Sequence, residues 1–200
     1  MAKGRAALFG CGAVVVLALV VLVATAAGSY NRLVGLDEGV DTAWSQVENV
    51  YQRRGDLIPN LVETVKGAAA FERDTFTAVT EARARAGQVT LSGAPENAEQ
   101  LRQFEQAQDQ LSSALSRLLV VVERYPELRA TEAFRDLQAQ LEGTENRISV
   151  ERMRFNEAAR EYNTARRRFP TVIIAPIMGF EQKPYFEAVA GADEPPPVQF

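Results

Sequence analysis

The chain has 200 residues, a hydrophobic content of 46% and a formal net charge of −4, which is enough apolar material for one domain with a packed core. It contains no histidine, and this excludes a Ser-His-Asp triad, a histidine general base and a histidine-liganded metal site. The single cysteine, Cys11, lies in an apolar run, so disulfides within the chain, zinc ribbons and Cys-His nucleophiles are excluded as well.

Residues 6–28, AALFGCGAVVVLALVVLVATAAG, form an uncharged run of 23 residues. As a helix this run is about 35 Å long, enough to cross the hydrocarbon core of a bilayer. A secretory signal peptide is the alternative, because Ala24, Thr25 and Ala26 resemble a cleavage site. The helical pattern resumes at Tyr30, which favours a retained anchor. Too few apolar residues precede Cys11 for a lipoprotein signal.

Charge predicts the orientation of this anchor. Lys3 and Arg5 precede it and positive residues stay on the cytoplasmic side, so we expect residues 1–5 inside and residues 30–200 outside the cytoplasmic (inner) membrane. Without those two residues, the chain has 20 basic and 26 acidic residues, which gives a net charge of −6. An acidic outer part argues against nucleic acid as a partner.

Beyond the anchor, apolar residues at intervals of three and four predict an amphipathic helix that reaches about Ala86. The pattern keeps its phase across Pro59, which predicts a kinked but nearly continuous helix. If the helix broke instead, Asp56 would cap the restart. The Arg-Gly-Asp tripeptide at residues 54–56 is then part of a helix, which argues against an adhesion loop.

Two further helices follow the turn-rich loop at residues 87–95. The first starts near Glu96, stops at Tyr125 and Pro126, and has Gln108 on its apolar seam. The second has large apolar residues every seven positions, as knobs-into-holes packing requires: Phe134, Leu141, Ile148, Phe155, Tyr162 and Phe169. These patterns predict an all-α fold, with residues 30–169 forming an elongated bundle of three to four long helices.

Pro170 ends the last of these helices. Residues 170–188 are too rich in proline for a long helix and too apolar to float free, so we predict an extended strap. This strap could cover its own bundle or reach a neighbouring one. Residues 189–200, which contain EPPP, are expected to form a mobile acidic tail.

Three charged residues, Arg53, Arg54 and Asp56, lie close together in the first helix of the bundle. Arg54 falls on the apolar seam, and burying it requires a partner carboxylate, for which the candidates are Glu63, Glu72, Glu145 and Glu151. Hydrogen bonds between helices are expected from Asn31, Asn60, Asn156 and Asn163.

Several stretches between Tyr30 and about Ala188 resemble the LemA family: YNRLVGLDEGVDTAWSQVENVYQRRGDLIPNLVETVKG, NRISVERMRFNEAAREYNTARRRFP and GFEQKPYFEA. The resemblance implies a bacterial single-pass membrane protein with an outer domain of long antiparallel helices and no established catalytic activity or cofactor. The sequence departs from the family at Phe71 and Glu72, where a His-Glu pair is common. The resemblance implies interaction surfaces at the motif residues, namely Tyr30, Asn31, Trp44, Arg53, Arg54, Asp56, Pro59, Asn60, Asn163 and Phe169.

These observations favour a non-enzymatic, membrane-anchored scaffold or adaptor that self-assembles or binds a protein partner to organise the membrane or other proteins. The alternative is a ligand sensor or an accessory subunit of a membrane protein complex. A carboxylate pair such as Asp56 and Glu63 is a poor candidate for catalysis, because no histidine or glycine-rich loop lies nearby. The basic run Arg166, Arg167 and Arg168 more simply complements a helix dipole.

Overall fold

A computed structural model describes the backbone of residues 2–66, 73–89, 91 and 93–187, and the side chains of Val14 and of residues 16 onward within those ranges. Phe71, Glu72 and the predicted tail at residues 189–200 lie outside the described residues. The described chain is all-helical, with six helices: α1 (Ala2–Lys66), α2 (Arg73–Gln88), α3 (Ala98–Val122), α4 (Pro126–Arg129), α5 (Glu132–Arg167) and α6 (Thr171–Ile177).

Helix α1 contains both the apolar run and the first bundle helix. Its 65 residues correspond to a length of about 98 Å. The helix passes through Pro59 without ending, as the phase of the apolar pattern predicted. The prediction that it reaches about Ala86 is wrong, because α1 ends at Lys66 and α2 is a separate helix that packs back against it. Pro59 has no N–H to give to the Gly55 carbonyl four residues earlier. Arg83 of α2 takes its place, with its Nε donating to Gly55 O at 2.8 Å.

The bundle is built around two helix pairs, α1 with α5 and α2 with α3, and α1 runs antiparallel to α5. Trp44 of α1 meets Phe155 of α5, whereas Arg54, further along α1, meets Glu145, earlier in α5. Both short helices also pack at the ends of longer ones, α4 between α3 and α5 and α6 against α1 and α5. The antiparallel arrangement that the resemblance implies is therefore present in the pairing of α1 with α5.

Two apolar clusters fill the core at different heights along α1. The proximal core, nearer the apolar run, contains Trp44 and Phe104 with ring centroids 5.0 Å apart. The distal core contains Ile58 of α1 and Phe76 of α2 among its buried residues. Helix α2 covers only the distal half of α1, because it ends at Gln88. Loop and strap residues cover the proximal half.

The strap packs on its own bundle. Phe186 is buried and lies almost parallel to Trp44, with ring centroids 6.1 Å apart. Two asparagines of α5, seven residues apart, each bond both backbone groups of one strap residue. Asn156 donates to Phe186 O at 2.9 Å and accepts from Phe186 N at 2.8 Å. Asn163 does the same with Lys183, at 2.8 and 3.0 Å.

The first part of the strap differs from the extended form predicted for it. Thr171–Ile177 forms the short helix α6, and only residues 180–187 are extended. Pro170 immediately precedes the helix, where its missing N–H and fixed φ do no harm. Pro176 lies in the last turn, so it removes a hydrogen bond only where the helix is already ending.

Candidate functional site: a buried arginine and the cleft beside it

Arg54 lies between the two cores and is 1% exposed. Its Nη1 donates to Glu145 Oε1 at 2.7 Å and to Ser112 Oγ at 2.9 Å. Its Nη2 donates to the side-chain oxygen of Gln108 at 2.6 Å and to the Gln108 carbonyl at 3.3 Å. One arginine therefore joins α1, α3 and α5 at the middle of the bundle.

The groups around the buried charge of Arg54 differ in how far they are exposed to water. The Glu145 side chain is 49% exposed, so its attraction to Arg54 is partly screened by water. The guanidinium also lies 5.0 Å from the centre of the Tyr51 ring. Burial raises the pKa of the Tyr51 hydroxyl, and the nearby charges of Arg152 and Arg54 lower it again in part. The Arg54 Nε has no hydrogen-bond partner among the described residues.

A cleft of about 830 Å³ opens beside this arginine, between α1, the end of α2 and α3. Its α1 wall is polar and includes Glu48, Gln52 and Asp56, and α2 contributes Arg83 and Gln88 to the opposite wall. Such a volume lies within the range of small-molecule sites in proteins, roughly 300–1,000 Å³.

The carboxyl group of Glu48 lines the cleft, and its pKa is raised. Burial raises its pKa, and the Trp44 indole N–H nearby lowers it again in part. No hydrogen bond of ordinary geometry joins the two groups, so the fully buried Trp44 Nε1 stays without a partner among the described residues.

The motif residues predicted from the sequence do not form one site. Trp44, Arg54 and Asn163 are buried and hold the bundle and strap together. Phe169 was predicted on the packed seam of α5, but it is 81% exposed because the helix ends at Arg167, before this position. Tyr30 is 42% exposed beside Phe180. The remaining residues lie on the exposed face of α1, where Asp56 alone lines the cleft: Asn31, Arg53, Asp56, Pro59 and Asn60.

Glu145 was one of four carboxylates predicted as partners of Arg54, and it is the one that binds. Glu63 pairs instead with Lys66 and Glu151 with Arg154, while Glu72 lies outside the described residues. Sequence reasoning missed Ser112, and it did not connect Gln108 with Arg54. The signal for Gln108 was present, because a glutamine on an apolar seam needs a buried polar partner.

The chemistry available at this site is limited. Among the described residues, no group of three or more histidine, cysteine, aspartate or glutamate side chains could hold a metal ion. The polar groups around Arg54 are engaged with one another, and the arrangement supplies neither a nucleophile next to a base nor a paired acid and base. The contacts that Arg54 makes are hydrogen bonds that connect α1 with α3 and α5.

The described part of the chain contains one helix long and apolar enough to cross a membrane, which is α1. Large side chains in the apolar run are exposed, for example Leu17 at 65% and Leu22 at 65%. They do not pack into the bundle, as the buried helix of a water-soluble core would. This exposure indicates a membrane-associated protein.

A model described as the LemA family matches residues 43–200. The chain is 29% identical over 200 residues to the magnetosome protein MamQ of Magnetospirillum gryphiswaldense, covering 92% of this chain and 74% of that protein. It is 28% identical over 209 residues to the magnetosome protein MamQ 2 of Paramagnetospirillum magneticum, covering 96% and 77%. The match to the family model spans most of the chain and the similarity to these relatives extends over nearly all of it, so the protein belongs to the LemA family.

Proposed function

We propose that this protein is a non-enzymatic scaffold, anchored in the cytoplasmic membrane with its N-terminus inside, that holds a helical bundle outside and organises the membrane or partner proteins. One observation carries the proposal. Helix α1 runs from the apolar segment into both cores of the bundle as a single element. A bundle attached in this way is held close to the bilayer, at a height set by the length of α1 between the apolar run and the cores.

Three observations support a scaffold over an enzyme. The core is filled on both sides of Arg54, and the described residues offer no metal-binding group. The similarity to magnetosome proteins is compatible with a role in organising a larger structure. Anchoring also raises the local concentration of the bundle, so that weak lateral contacts become effective.

The molar mass of the full-length protein, extracted from its native membrane in mild detergent and measured by light scattering, tests this proposal. A scaffold is expected as a discrete complex well above the 22.0 kDa of one chain, made of several copies or of this chain with partners. A flexible Gly-Ser insert between Gly28 and Ser29 is expected to disperse that complex. A single chain without partners would contradict the proposal.

The cleft supports a second candidate, a ligand sensor or accessory subunit. Its volume and mixed polar and apolar walls suit a small molecule. Ala84 is exposed and lines the cleft, so Ala84→Trp fills it, and Arg85→Trp is the matched control on a neighbouring exposed position outside it. A small molecule that co-purifies with the wild type and Arg85→Trp but not with Ala84→Trp, detected by mass spectrometry, would favour the sensor.

A further inference from the structure

Helix α6 lies at the end of the bundle that adjoins the apolar run of α1. Phe180, just after α6, packs edge-on against Tyr30 with ring centroids 5.6 Å apart. Ala175 within α6 is fully buried in the proximal core. On α1, Ala26 and Ser29 are half-buried, whereas the residues at 16–25 are all exposed. Helix α6 therefore packs against the last turn of the apolar run.

The register between α1 and α5 independently places α6 near the end of the apolar run. Trp44 lies opposite Phe155, and Asp37 pairs with Lys183, whose Nζ sits 5.6 Å from the centre of the Tyr162 ring. The residue numbers fall on α5 as they rise on α1, so the end of α5 lies near the level of residues 31–33. The chain that follows α5 continues from there toward the apolar run.

This region exposes an unusual amount of apolar surface. We call the following five residues the apolar cap, with exposed fractions of 81, 45, 59, 77 and 51%: Phe169, Val172, Ile173, Ile177 and Met178. Elsewhere in the described bundle, large exposed apolar side chains are scattered, such as Val120 and Met153. A contiguous exposed apolar surface marks an interaction site.

Basic residues border the apolar cap. Arg167 and Arg168 are exposed at the end of α5, two residues and one residue before Phe169. The Arg166 Nε is held by the Phe180 carbonyl at 2.8 Å. An apolar surface bordered by arginine is the pattern of segments that lie in the boundary between lipid headgroups and acyl chains. There the guanidinium groups meet lipid phosphates.

We propose that the apolar cap inserts into the outer headgroup and acyl boundary of the same bilayer that α1 crosses, giving the bundle a second attachment to the membrane. This inference rests on the anchoring in the proposed function. A lipid surface fits better than a second copy of the chain, because α6 packs on the turn where the apolar run ends. Two attachments fix the tilt and rotation of α1, which one helix alone leaves free.

Depth-dependent fluorescence quenching in the full-length chain tests the proposal. A single cysteine is placed at Ile177, at Leu22 in the apolar run, or at Met153 on α5, each in a Cys11→Ala background. Leu22, Met153 and Ile177 have similar exposure, at 65, 64 and 77%, so they report on location rather than accessibility. Each variant carries an environment-sensitive dye and is reconstituted into vesicles of phosphatidylcholine and phosphatidylglycerol with doxyl-labelled lipid.

The proposal expects the label at Ile177 to be quenched by doxyl lipid to about half the extent of the label at Leu22 or more, and the label at Met153 to be unquenched. Quenching at Leu22 without quenching at Ile177 would overturn the second attachment and leave the anchor intact. An Ile177 label shielded from both doxyl lipid and aqueous iodide would place another protein surface there, which also overturns it. No quenching at Leu22 would overturn the anchor itself.

Discussion

Arg54 shows how a charged residue is accommodated on an apolar seam. Its hydrogen-bond partners lie on two helices: Ser112 and Gln108 on α3 and Glu145 on α5. Only Gln108 is buried with it, at 7% exposure, while the Glu145 carboxylate reaches the surface. The buried partner and the exposed partner should therefore contribute unequally to stability.

We expect Gln108→Leu to destabilise the fold by about 2–3 kcal/mol, because a buried guanidinium loses its enclosed acceptor. Glu145→Gln keeps an acceptor oxygen at a half-exposed position and should cost less than about 1 kcal/mol. Denaturant unfolding in mild detergent, followed by the fluorescence of the single tryptophan, measures both. Equal effects, or a larger effect at Glu145, would contradict this order.

The second prediction concerns the carbonyl that Pro59 leaves without a helical partner. Arg83→Ala removes the donor to Gly55 O and should cost about 1 kcal/mol. In a Pro59→Ala background the same change should have almost no effect, because the alanine backbone supplies the missing N–H. A double-mutant cycle measures the coupling, with Arg85→Ala as the control at an exposed arginine bonded elsewhere. Additive effects of Arg83→Ala and Pro59→Ala would show that Arg83 does not replace that bond.

The third prediction concerns pH. The pKa of Glu48 is raised from 4.5 in the folded state by burial, so the folded state holds this proton more tightly than the unfolded state does. Wild-type stability therefore falls as pH rises from about 4.5 through the folded-state pKa. Glu48→Gln lacks this loss, and its stability relative to wild type should increase between about pH 4 and pH 7.

Glu99 is the matched control for this pH effect. The hydrogen bond from Arg102 lowers its pKa, followed in effect by that from Gln103. The contribution of Glu99 is present above 4.5 and is lost as pH falls through the lower folded-state pKa. Glu99→Gln should therefore lose stability relative to wild type as pH rises, the opposite trend to Glu48→Gln. Parallel trends for the two variants would contradict both assignments.

Over the proximal core, the strap occupies the place that a helix occupies over the distal core. Helix α2 covers the distal core, and residues 180–187 cover part of the proximal core at the corresponding place. The strap has no regular hydrogen bonding of its own there. Asn156 and Asn163 supply both a donor and an acceptor to it, much as a neighbouring strand would.

Asn163→Asp should loosen the strap, because a carboxylate cannot donate to the Lys183 carbonyl or to the Tyr185 hydroxyl, which now lie 2.8 and 2.9 Å from Asn163 Nδ2. Amide exchange in residues 181–187 should accelerate by about tenfold or more, which corresponds to the loss of roughly 1.4 kcal/mol. Hydrogen exchange with mass spectrometry measures it. Asn146→Asp, at an exposed position of the same helix, is the control, and equal exchange in the two variants would contradict the role of Asn163.

Helices could be predicted from the sequence where apolar residues recur at a regular interval. The seven-residue spacing of α5 and the phase across Pro59 both predicted helices that the structure contains. The partner of Arg54 could not be chosen, because spacing along one helix does not fix its axial register against another. Helix α6 and the asparagine contacts with the strap were missed because the strap has no repeating pattern from which a conformation or a partner could be inferred.

Helix α1 is one continuous element that runs through the whole described length of the molecule. The apolar run, the proximal core, Arg54 and the distal core follow one another along this helix. The bundle is then a direct extension of the apolar run, and no loop separates them in the described chain. A scaffold that presents its surface at a constant height requires this continuity.

The most direct test is a distance between the anchor and the bundle in the full-length protein. Spin labels at Leu22→Cys and Asn49→Cys, with Cys11→Ala, occupy two exposed positions of α1 that lie 27 residues apart. Pulsed electron paramagnetic resonance in lipid nanodiscs should give one narrow distance near about 40 Å, the length of an unbroken helix between them. A broad or much shorter distribution would show a flexible joint between anchor and bundle, and would contradict the rigid scaffold.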